Sequence, residues 1–314
     1  MTGNTSARDP LPSCRAGQLQ HNEVQERWLI EALWAEQGVG VLGGAPKSCK
    51  SWMALEMATA VAAGVPCLGH FAVPNPGPTL VYLAEDALPA VKERIASLCD
   101  ARGLCLDTLD LHVITAPALR LDIEDDFRRL VATVEVIGPR LLVLDPFVRL
   151  HHADENRAGE IAAILGRLRA LQRARKVAIL VVHHARKVTS GLSPGQALRG
   201  STDFHAWVDC LLYLRRDRHG IRVAIEHRSA PAAEPFHVEL DPVRPHLRKV
   251  EGDLEAKAPT LAQRILSELG SASQPLRRTE LRARLAVNNQ RLGAALHQLQ
   301  AQGLLRRSAE GWAR

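Results

Sequence analysis

The chain has 314 residues, of which 46% are hydrophobic and 24% charged, with a formal net charge of +6. This balance is ordinary for a water-soluble globular protein, and no apolar run reaches the roughly 18–20 residues needed to cross a bilayer. The first ten residues lack the apolar core of a secretory signal, and the six cysteines form no C-x-x-C pair. We therefore predict a cytoplasmic protein with no membrane partner, no disulfide framework and no zinc site.

Composition and periodicity divide the chain into four predicted segments. Residues 1–25 are polar and aperiodic, which predicts a flexible arm. In residues 26–240 short apolar runs alternate with amphipathic stretches, which is typical of an α/β domain with a mostly parallel sheet. Residues 241–259 contain prolines and charges without a period and are predicted as a linker. Residues 260–314 read as three helices and a short hairpin, the order of a winged helix-turn-helix domain.

Within the α/β segment the apolar runs and the stretches between them predict individual elements. The predicted strands are Gly38–Leu42, Thr79–Ala84, Leu109–Ile114, Leu141–Leu144, Val177–Val182 and Cys210–Leu214. The predicted helices are Ser51–Ala63, Ala90–Cys99, Asp125–Val136 and Gly159–Gln172. A later strand, Arg222–Glu226, is predicted to pair with Cys210–Leu214 through a turn at 217–220.

A phosphate-binding loop is predicted where the first of these strands runs into the first helix. The sequence GGAPKSCKS has a G-x-x-x-x-[G]-K-S frame, whose backbone N–H groups and following helix N-terminus would bind the phosphates of ATP. Lys50 would reach the β- and γ-phosphates, and the Ser51 hydroxyl would ligate Mg²⁺. Cys49 stands where the frame has Gly, and a Cβ is disfavoured there if the loop needs a positive φ. The predicted nucleotide-binding residues are Gly44, Ala45, Pro46, Lys47, Ser48, Cys49, Lys50, Ser51 and Trp52.

Three other strands end in groups suited to phosphate chemistry. LLVLD ends at Asp145, a candidate to hold a Mg²⁺-bound water. LVYLAED ends at Glu85 and Asp86, and a carboxylate there can accept a proton from the attacking water. We predict Glu85 as this base and keep Asp86 as the alternative. The third strand ends in His183 and His184, where a polar group can sense the γ-phosphate; no second cluster with ligand spacing favours a metal site.

In this order, the pieces resemble the RecA-like P-loop ATPases of the plasmid RepA helicase group, a subset of which is often catalogued as AAA-type ATPases. The resemblance covers about residues 28–240 and is carried by GGAPKSCKSW, LVYLAED, LLVLDPF, VVHHARK and ALRGSTDF. It implies ATP and Mg²⁺ as cofactors, with Lys50 and Ser51 on phosphate and metal and Asp145 on the metal side. It also implies Glu85 as catalytic base and His184 as γ-phosphate sensor.

The resemblance further implies a homo-oligomer, a ring or filament such as a hexamer. In such assemblies a neighbouring subunit supplies an arginine finger that neutralises transition-state charge. Arg199, in Arg-Gly-Ser-Thr, matches a recurrent motif of the family. The finger of the RepA helicase lies further along, at a position that falls near Asp209 here and cannot be cationic. Arg215 and Arg216 are the substitutes, and a solvated strand end is the alternative reading of both.

The C-terminal segment carries the whole charge excess. From Glu255 onward there are ten Lys/Arg and four acids, a net +6, which points to a polyanion partner. Helical spacing predicts a core of Leu261, Ile265, Leu266, Leu269, Leu281, Leu285, Leu292, Leu296 and Leu299. The predicted DNA-binding residues are Arg277, Arg278, Arg282, Arg284, Asn289, Gln290, Arg291, Arg306 and Arg307. Docking of a protein on this domain is the alternative.

Together these features predict an ATPase that couples hydrolysis to DNA binding, as a helicase or DNA-remodelling enzyme in replication, recombination or mobile-element maintenance. Residues 186–196 are predicted either to line a DNA channel or to form a surface loop. One alternative is an ATP-binding regulator of transcription or replication whose hydrolysis is slow. The other is an assembly ATPase whose winged helix docks a protein.

Overall fold

A computed structural model describes most of the chain, namely residues 13–18, 28–154, 157–184, 202–230, 234–250, 261–272, 274–285, 287, 289–308 and 311–313. The chain divides into two compact units, Met1–Val250 and Glu251–Arg314. Throughout these described ranges, no helix is both long and apolar enough to span a bilayer.

The elements of the larger unit alternate between strand and helix over most of its length. The strands are β1 (Trp28–Ile30), β2 (Trp34–Ala35), β3 (Val39–Gly44), β4 (Thr79–Leu83), β5 (Leu111–Val113), β6 (Leu141–Asp145), β7 (Ala178–His184), β8 (Cys210–Asp217), β9 (Gly220–His227), β10 (Phe236–Leu240) and β11 (Leu247–Lys249). The helices are α1 (Lys50–Ala63), α2 (Leu88–Arg102), α3 (Glu124–Ile137), α4 (Ala158–Arg175) and α5 (Thr202–Trp207). Short 3-10 turns cover Ala16–Gln18, Leu106–Thr108 and Phe147–Arg149.

A nine-stranded sheet organises this unit, in the order β11-β10-β9-β8-β3-β7-β6-β4-β5. The strands from β8 to β5 are parallel, whereas β9, β10 and β11 continue the sheet antiparallel. β1 and β2 form a separate two-stranded hairpin. The prediction of an α/β fold with a mostly parallel central sheet is confirmed, as is the antiparallel pairing of β8 with β9.

Helices cover both faces of the sheet because its central strands are apolar on both sides. All six residues of β3 and all five of β6 are buried, as expected for strands enclosed in a parallel sheet. One core contains α1 and α2, and the other contains α3, α4 and α5. The phosphate loop leads from β3 into α1, so the candidate site belongs to the α1 side of the sheet.

The segment predicted as a linker includes a strand. β11 lies inside the segment predicted as a linker and pairs with β10, from Leu240↔Leu247 to Val238↔Lys249. A three-residue strand with one buried side chain has too short a pattern to be recognised without its partner. The predicted arm falls mostly outside the described residues, as do the second half of the predicted linker and the whole of residues 186–196.

The described residues of the smaller unit form three helices and a two-stranded hairpin. They are α6 (Leu261–Ser271), α7 (Arg278–Leu285), α8 (Asn289–Ala301), β12 (Arg306–Arg307) and β13 (Trp312–Ala313). The predicted leucine and isoleucine core is confirmed, with Leu261 and Leu266 at its edge and Leu276 and Leu305 added to it. The first helix continues through Gly270 to Ser271, because the cost of one glycine in a helix, about 1 kcal/mol, is small beside core packing.

Candidate functional site

The candidate nucleotide site lies at the carboxyl ends of the neighbouring strands β3, β7, β6 and β4. Side chains alternate between the two faces of a strand, and Val143 and Val182 pack on the α1 side. Asp145 and His184, each two residues further along the same strands, therefore point to the side where the phosphate loop lies. Open parallel sheets bind ligands at this edge.

The loop between β3 and α1 is held by its own hydrogen bonds and by close packing against β8. Ser48 Oγ donates to the carbonyl of Ala45 at 2.8 Å, and Lys50 Nζ donates to the same carbonyl at 2.9 Å. A Cβ on Gly44 would lie 2.4 Å from the carbonyl oxygen of Leu214, so only glycine fits there. Lys50 is only 5% exposed, and its side chain is folded back onto the backbone of the loop.

Cys49 adopts the left-handed conformation (φ 62°, ψ 30°) that a glycine would adopt more easily. For a residue with a Cβ this conformation costs roughly 1–2 kcal/mol, so the departure from the usual frame is accommodated with strain. Burial raises the pKa of the Cys49 thiol, while Arg216 and Lys50 act in the opposite direction. Cys49 is therefore a neutral thiol that lies within the electrostatic influence of a cation on β8.

The oxygens near Lys50 suit a magnesium ion. The Ser51 hydroxyl is near enough to the Asp145 carboxylate to lower its pKa, and among the described residues the buried Asp145 Oδ2 has no hydrogen-bond partner. Burial raises the pKa of Asp145 to about 6; repulsion from Asp86 and Glu85 adds to the effect, whereas Ser51 and Lys50 oppose it. A buried carboxylate oxygen without a partner is costly, and a hydroxyl and a carboxylate are hard ligands for Mg²⁺. The residues present therefore fit the ion.

Protein side chains would supply only part of the metal's ligands. Within the part of the chain that the structure describes, no cluster of three or more His, Cys, Asp or Glu side chains could hold a metal ion. Mg²⁺ at nucleotide sites is typically bound by one or two protein groups, substrate phosphates and water. The pair formed by Ser51 and Asp145 agrees with that arrangement.

The two acids after β4 have different surroundings. Glu85 Oε1 lies 2.8 Å from Arg149 Nε, and both side chains are substantially exposed, at 46% and 62%. Asp86 accepts two hydrogen bonds from Arg94, at 2.6 and 2.9 Å, and the Arg94 guanidinium lies 5.8 Å from the ring centre of Trp52. Asp86 is therefore engaged in a bidentate ion pair with α2, whereas Glu85 is the acid that faces solvent near Lys50. Sequence reasoning missed both arginines, since their pairing depends on tertiary contacts.

The adjacent histidines face opposite sides of the sheet. His184 pairs in register with Gly44, and its pKa is lowered by burial and by Lys50. His183 packs against Phe204 with ring centres 4.7 Å apart. Burial lowers the pKa of His183 to about 4, with His184, Lys50 and His151 acting in the same direction. His184 therefore reaches the nucleotide side, and His183 is half-buried against Phe204 on the opposite side.

We expect His183 to make the protein less stable in mild acid. Between the usual histidine pKa of about 6.5 and its folded value of about 4, the unfolded state binds a proton that the folded state does not, so the free energy of unfolding falls as pH falls. Asp145 has the opposite sign, because its raised pKa favours the folded state as pH falls.

The difference between wild type and His183→Asn isolates this effect. Urea unfolding at pH 7 and pH 5 should show that the free energy of unfolding falls by roughly 1–2 kcal/mol more in wild type than in the variant. His297→Asn, at an exposed position of α8, is the control and should follow wild type. An equal loss in wild type and His183→Asn would refute the assignment.

The arginine candidates occupy different places. Arg199 lies outside the described residues. Arg215 and Arg216 are consecutive exposed residues of β8, so they point to opposite sides of the sheet. Arg216 lowers the pKa of Cys49 in the same chain, whereas Arg215 lowers that of Tyr213, which packs on the face opposite α1. The structure thus brings Arg216, and not Arg215, to the phosphate loop.

In the smaller unit the predicted DNA-binding side chains that the structure describes lie on the surface. Those exposed are Arg277, Arg278, Arg282, Arg284, Asn289, Gln290, Arg306 and Arg307; α8 includes Arg291, whose side chain lies outside the described part. Arg278 Nη2 donates to the carbonyl of Asn289 at 2.5 Å. Arg284 lies 3.5 Å from Glu268, and the Arg307 guanidinium lies 5.8 Å from the ring centre of Trp312. Glu268 therefore partly neutralises Arg284, and Arg278 adds a positive charge at the start of α8.

Comparisons with known proteins agree with the fold and the loop. A family model described as an AAA domain matches residues 5–190. The ATPase domain of G40P superposes with a TM-score of 0.55 at 14% identity, over 69% of this chain and 86% of that chain. The structure of a DnaB-like replicative helicase and its interactions with primase superposes with a TM-score of 0.55 at 14% identity, over 69% of this chain and 58% of that chain. These likenesses show the RecA-like P-loop fold.

Proposed function

This chain belongs to the AAA domain family, and from that premise we propose that it is a cytoplasmic ATPase that couples ATP hydrolysis to DNA binding. The observation that carries the proposal is the placement of Lys50, Ser51, Asp145, Glu85 and His184 at one edge of the sheet. The resemblance to plasmid RepA helicases and the fold shared with a DnaB-like helicase support action as a homo-oligomer in replication, recombination or mobile-element maintenance.

Each residue of the site has a distinct task in this proposal. The loop N–H groups and Lys50 bind the phosphates, and Ser51 and Asp145 hold Mg²⁺, which when bound offsets phosphate charge. Glu85 accepts the proton of the attacking water. To do so, Glu85 breaks its ion pair with Arg149. An exposed ion pair of this kind contributes at most about 1 kcal/mol to stability. His184, neutral at pH 7, donates a hydrogen bond to the terminal phosphate.

ATP hydrolysis measured alone, with single-stranded DNA and with duplex DNA tests the function as a whole. A DNA-coupled ATPase should turn over faster with at least one form of DNA. Turnover that DNA does not change would favour the assembly ATPase with a protein partner. Tight ATP binding with negligible turnover under all three conditions would favour the nucleotide-binding regulator.

We propose further that the smaller unit is a winged helix-turn-helix domain that binds DNA. Its three helices, its short hairpin and its exposed arginines support this, because a winged helix usually lays its third helix in the major groove. Here that helix is α8, which begins at Asn289 beside Arg278. Phosphate contacts alone would account for the charge, so no sequence preference is implied.

Replacing Arg277, Arg282 and Arg306 with alanine together should weaken DNA binding and make it less salt-dependent. Each DNA phosphate that an arginine no longer neutralises should reduce the slope of log K against log salt by about 0.9, so we expect a decrease of roughly 2–3. Binding isotherms at salt concentrations from roughly 50 to 200 mM, over which the affinity falls steeply, measure this slope.

The matched control removes the same number of exposed cations from the larger unit, through Arg128→Ala, Arg129→Ala and Lys92→Ala. These side chains lie on the surfaces of α3 and α2. If this control reduces the slope as much as the first variant does, the charge acts non-specifically. An unchanged slope in the first variant would move the DNA site to the larger unit.

A further inference from the structure

We propose that Arg216 is a phosphate-binding residue that acts on the nucleotide of its own chain. This inference rests on the proposed ATPase function and assigns a role within that site. The arginine finger that the family resemblance implies comes from a neighbouring subunit, whereas Arg216 would serve the site built by the loop of its own chain.

The sheet places Arg216 beside the phosphate loop. β8 is hydrogen-bonded directly to β3, in parallel, and their register ends at Gly44↔Leu214. The two strands are so close there that a Cβ on Gly44 would meet the carbonyl oxygen of Leu214 at 2.4 Å. Arg216 is two residues beyond Leu214, whose side chain packs on the α1 side. Alternation along the strand therefore directs Arg216 to the face that carries the loop.

The positive charge of Arg216 acts on the loop at Cys49. The Arg216 guanidinium is near enough to the Cys49 thiol to lower its pKa, and Cys49 directly precedes Lys50, the proposed phosphate-binding lysine. A neutral thiol is a weak acceptor, whereas hydrogen bonds from a guanidinium to phosphate are strong and often bidentate. A phosphate in the loop would therefore be a better partner for Arg216 than the neutral thiol is.

The charge of Arg216 is not neutralised by its neighbours. The following residue, Asp217, accepts from the His237 side chain at 2.9 Å and from the backbone of His219 at 2.8 Å. Within the described residues, no carboxylate forms an ion pair with Arg216. An exposed cation at the mouth of an anion-binding loop adds to the attraction for a triphosphate.

Binding of Mg-ATP to Glu85→Gln protein, in which turnover is suppressed, measures the contribution of Arg216. Adding Arg216→Ala should raise Kd about tenfold or more, as expected for loss of a charge-assisted hydrogen bond. Arg222→Ala, on the neighbouring strand and directed to the opposite face, should leave Kd unchanged. If Arg215→Ala raises Kd and Arg216→Ala does not, the inference is overturned.

Cys49→Ala distinguishes direct binding of phosphate by Arg216 from an indirect role, in which Arg216 stabilises the loop through Cys49. If Arg216 binds phosphate itself, Cys49→Ala should weaken Mg-ATP binding less than Arg216→Ala does, and Arg216→Lys should restore part of the affinity. Equal losses in Cys49→Ala and Arg216→Ala would mean that Arg216 acts only through Cys49, which overturns the proposal. Thermal unfolding of each variant without nucleotide verifies that it is folded.

Mixing Arg216→Ala with Lys50→Ala protein, at an ATP concentration below the raised Kd of Arg216→Ala, separates action on the same chain from action on a neighbour. Arg216→Ala subunits have an intact Lys50, and Lys50→Ala subunits have an intact Arg216. If Arg216 were a finger, mixed oligomers would recover hydrolysis at interfaces where an Arg216→Ala subunit meets a Lys50→Ala subunit. If Arg216 serves its own chain, the mixtures should hydrolyse ATP no faster than the separate variants. Recovery overturns the inference and leaves the ATPase proposal standing, whereas wild-type protein that binds no Mg-ATP overturns both.

Discussion

Lys50→Ala should abolish ATP hydrolysis and weaken Mg-ATP binding by roughly ten- to a hundredfold, the range expected when a charged hydrogen-bonding partner worth about 1.5–3 kcal/mol is removed. Lys50 is nearly buried at the start of α1, and burial lowers its pKa while Asp145, Cys49 and Glu85 act against that shift. The phosphates would replace the Ala45 carbonyl, which Lys50 contacts at 2.9 Å, as its partner.

Steady-state hydrolysis and equilibrium binding of Mg-ATP measure the two effects separately. Lys92→Ala removes an exposed lysine from α2 and should behave as wild type. Normal turnover in Lys50→Ala would disprove the assignment of the phosphate loop. Normal binding without turnover would restrict Lys50 to the transition state, in disagreement with its expected contact to the bound phosphates.

Glu85→Gln should retain Mg-ATP binding and lose turnover by about 10²–10⁴-fold, the usual contribution of a general base. The amide keeps the size of the side chain and much of its hydrogen bonding but cannot accept the proton of water. Glu85 faces Arg149 and solvent, so its replacement should not unfold the protein. Single-turnover hydrolysis and Mg-ATP binding measure the two expectations.

Asp86→Asn is the matched comparison, because it makes the same chemical change one residue away. Asp86 is paired with Arg94 on α2, so the expected effect is a modest loss of stability with turnover largely kept. If Asp86→Asn loses turnover and Glu85→Gln does not, the base has been misassigned between the two acids.

The alternation of apolar runs with amphipathic stretches was enough to predict the α/β fold. Continuous apolar strands such as Leu141–Leu144 have to be enclosed on both sides, which requires helices on both faces of a parallel sheet. The phosphate loop was recognisable because its chemistry depends on a short, contiguous segment. The leucine core of the smaller unit followed from local helical spacing in the same way.

Tertiary structure decided which of these pieces meet. The position of β8 beside β3 depends on pairing between residues about 170 apart, and only that pairing brings Arg216 to Cys49. The partners of Glu85 and Asp86 were also hidden, because an exposed arginine has no sequence pattern that names its acid. The sequence did not predict β11 for a related reason. A three-residue strand is too short to show a periodicity, and it is stabilised by pairing with its neighbour.

Cys49 shows both contributions at one position. The sequence established that the loop departs from glycine there, and backbone sterics established what a positive φ would cost. Only the folded loop showed that Cys49 takes that conformation (φ 62°) and faces a cation from another strand. Local patterns determined the fold and the identity of the reactive groups, whereas long-range strand pairing determined which of them share a site, because nothing within a short segment encodes its distant neighbours.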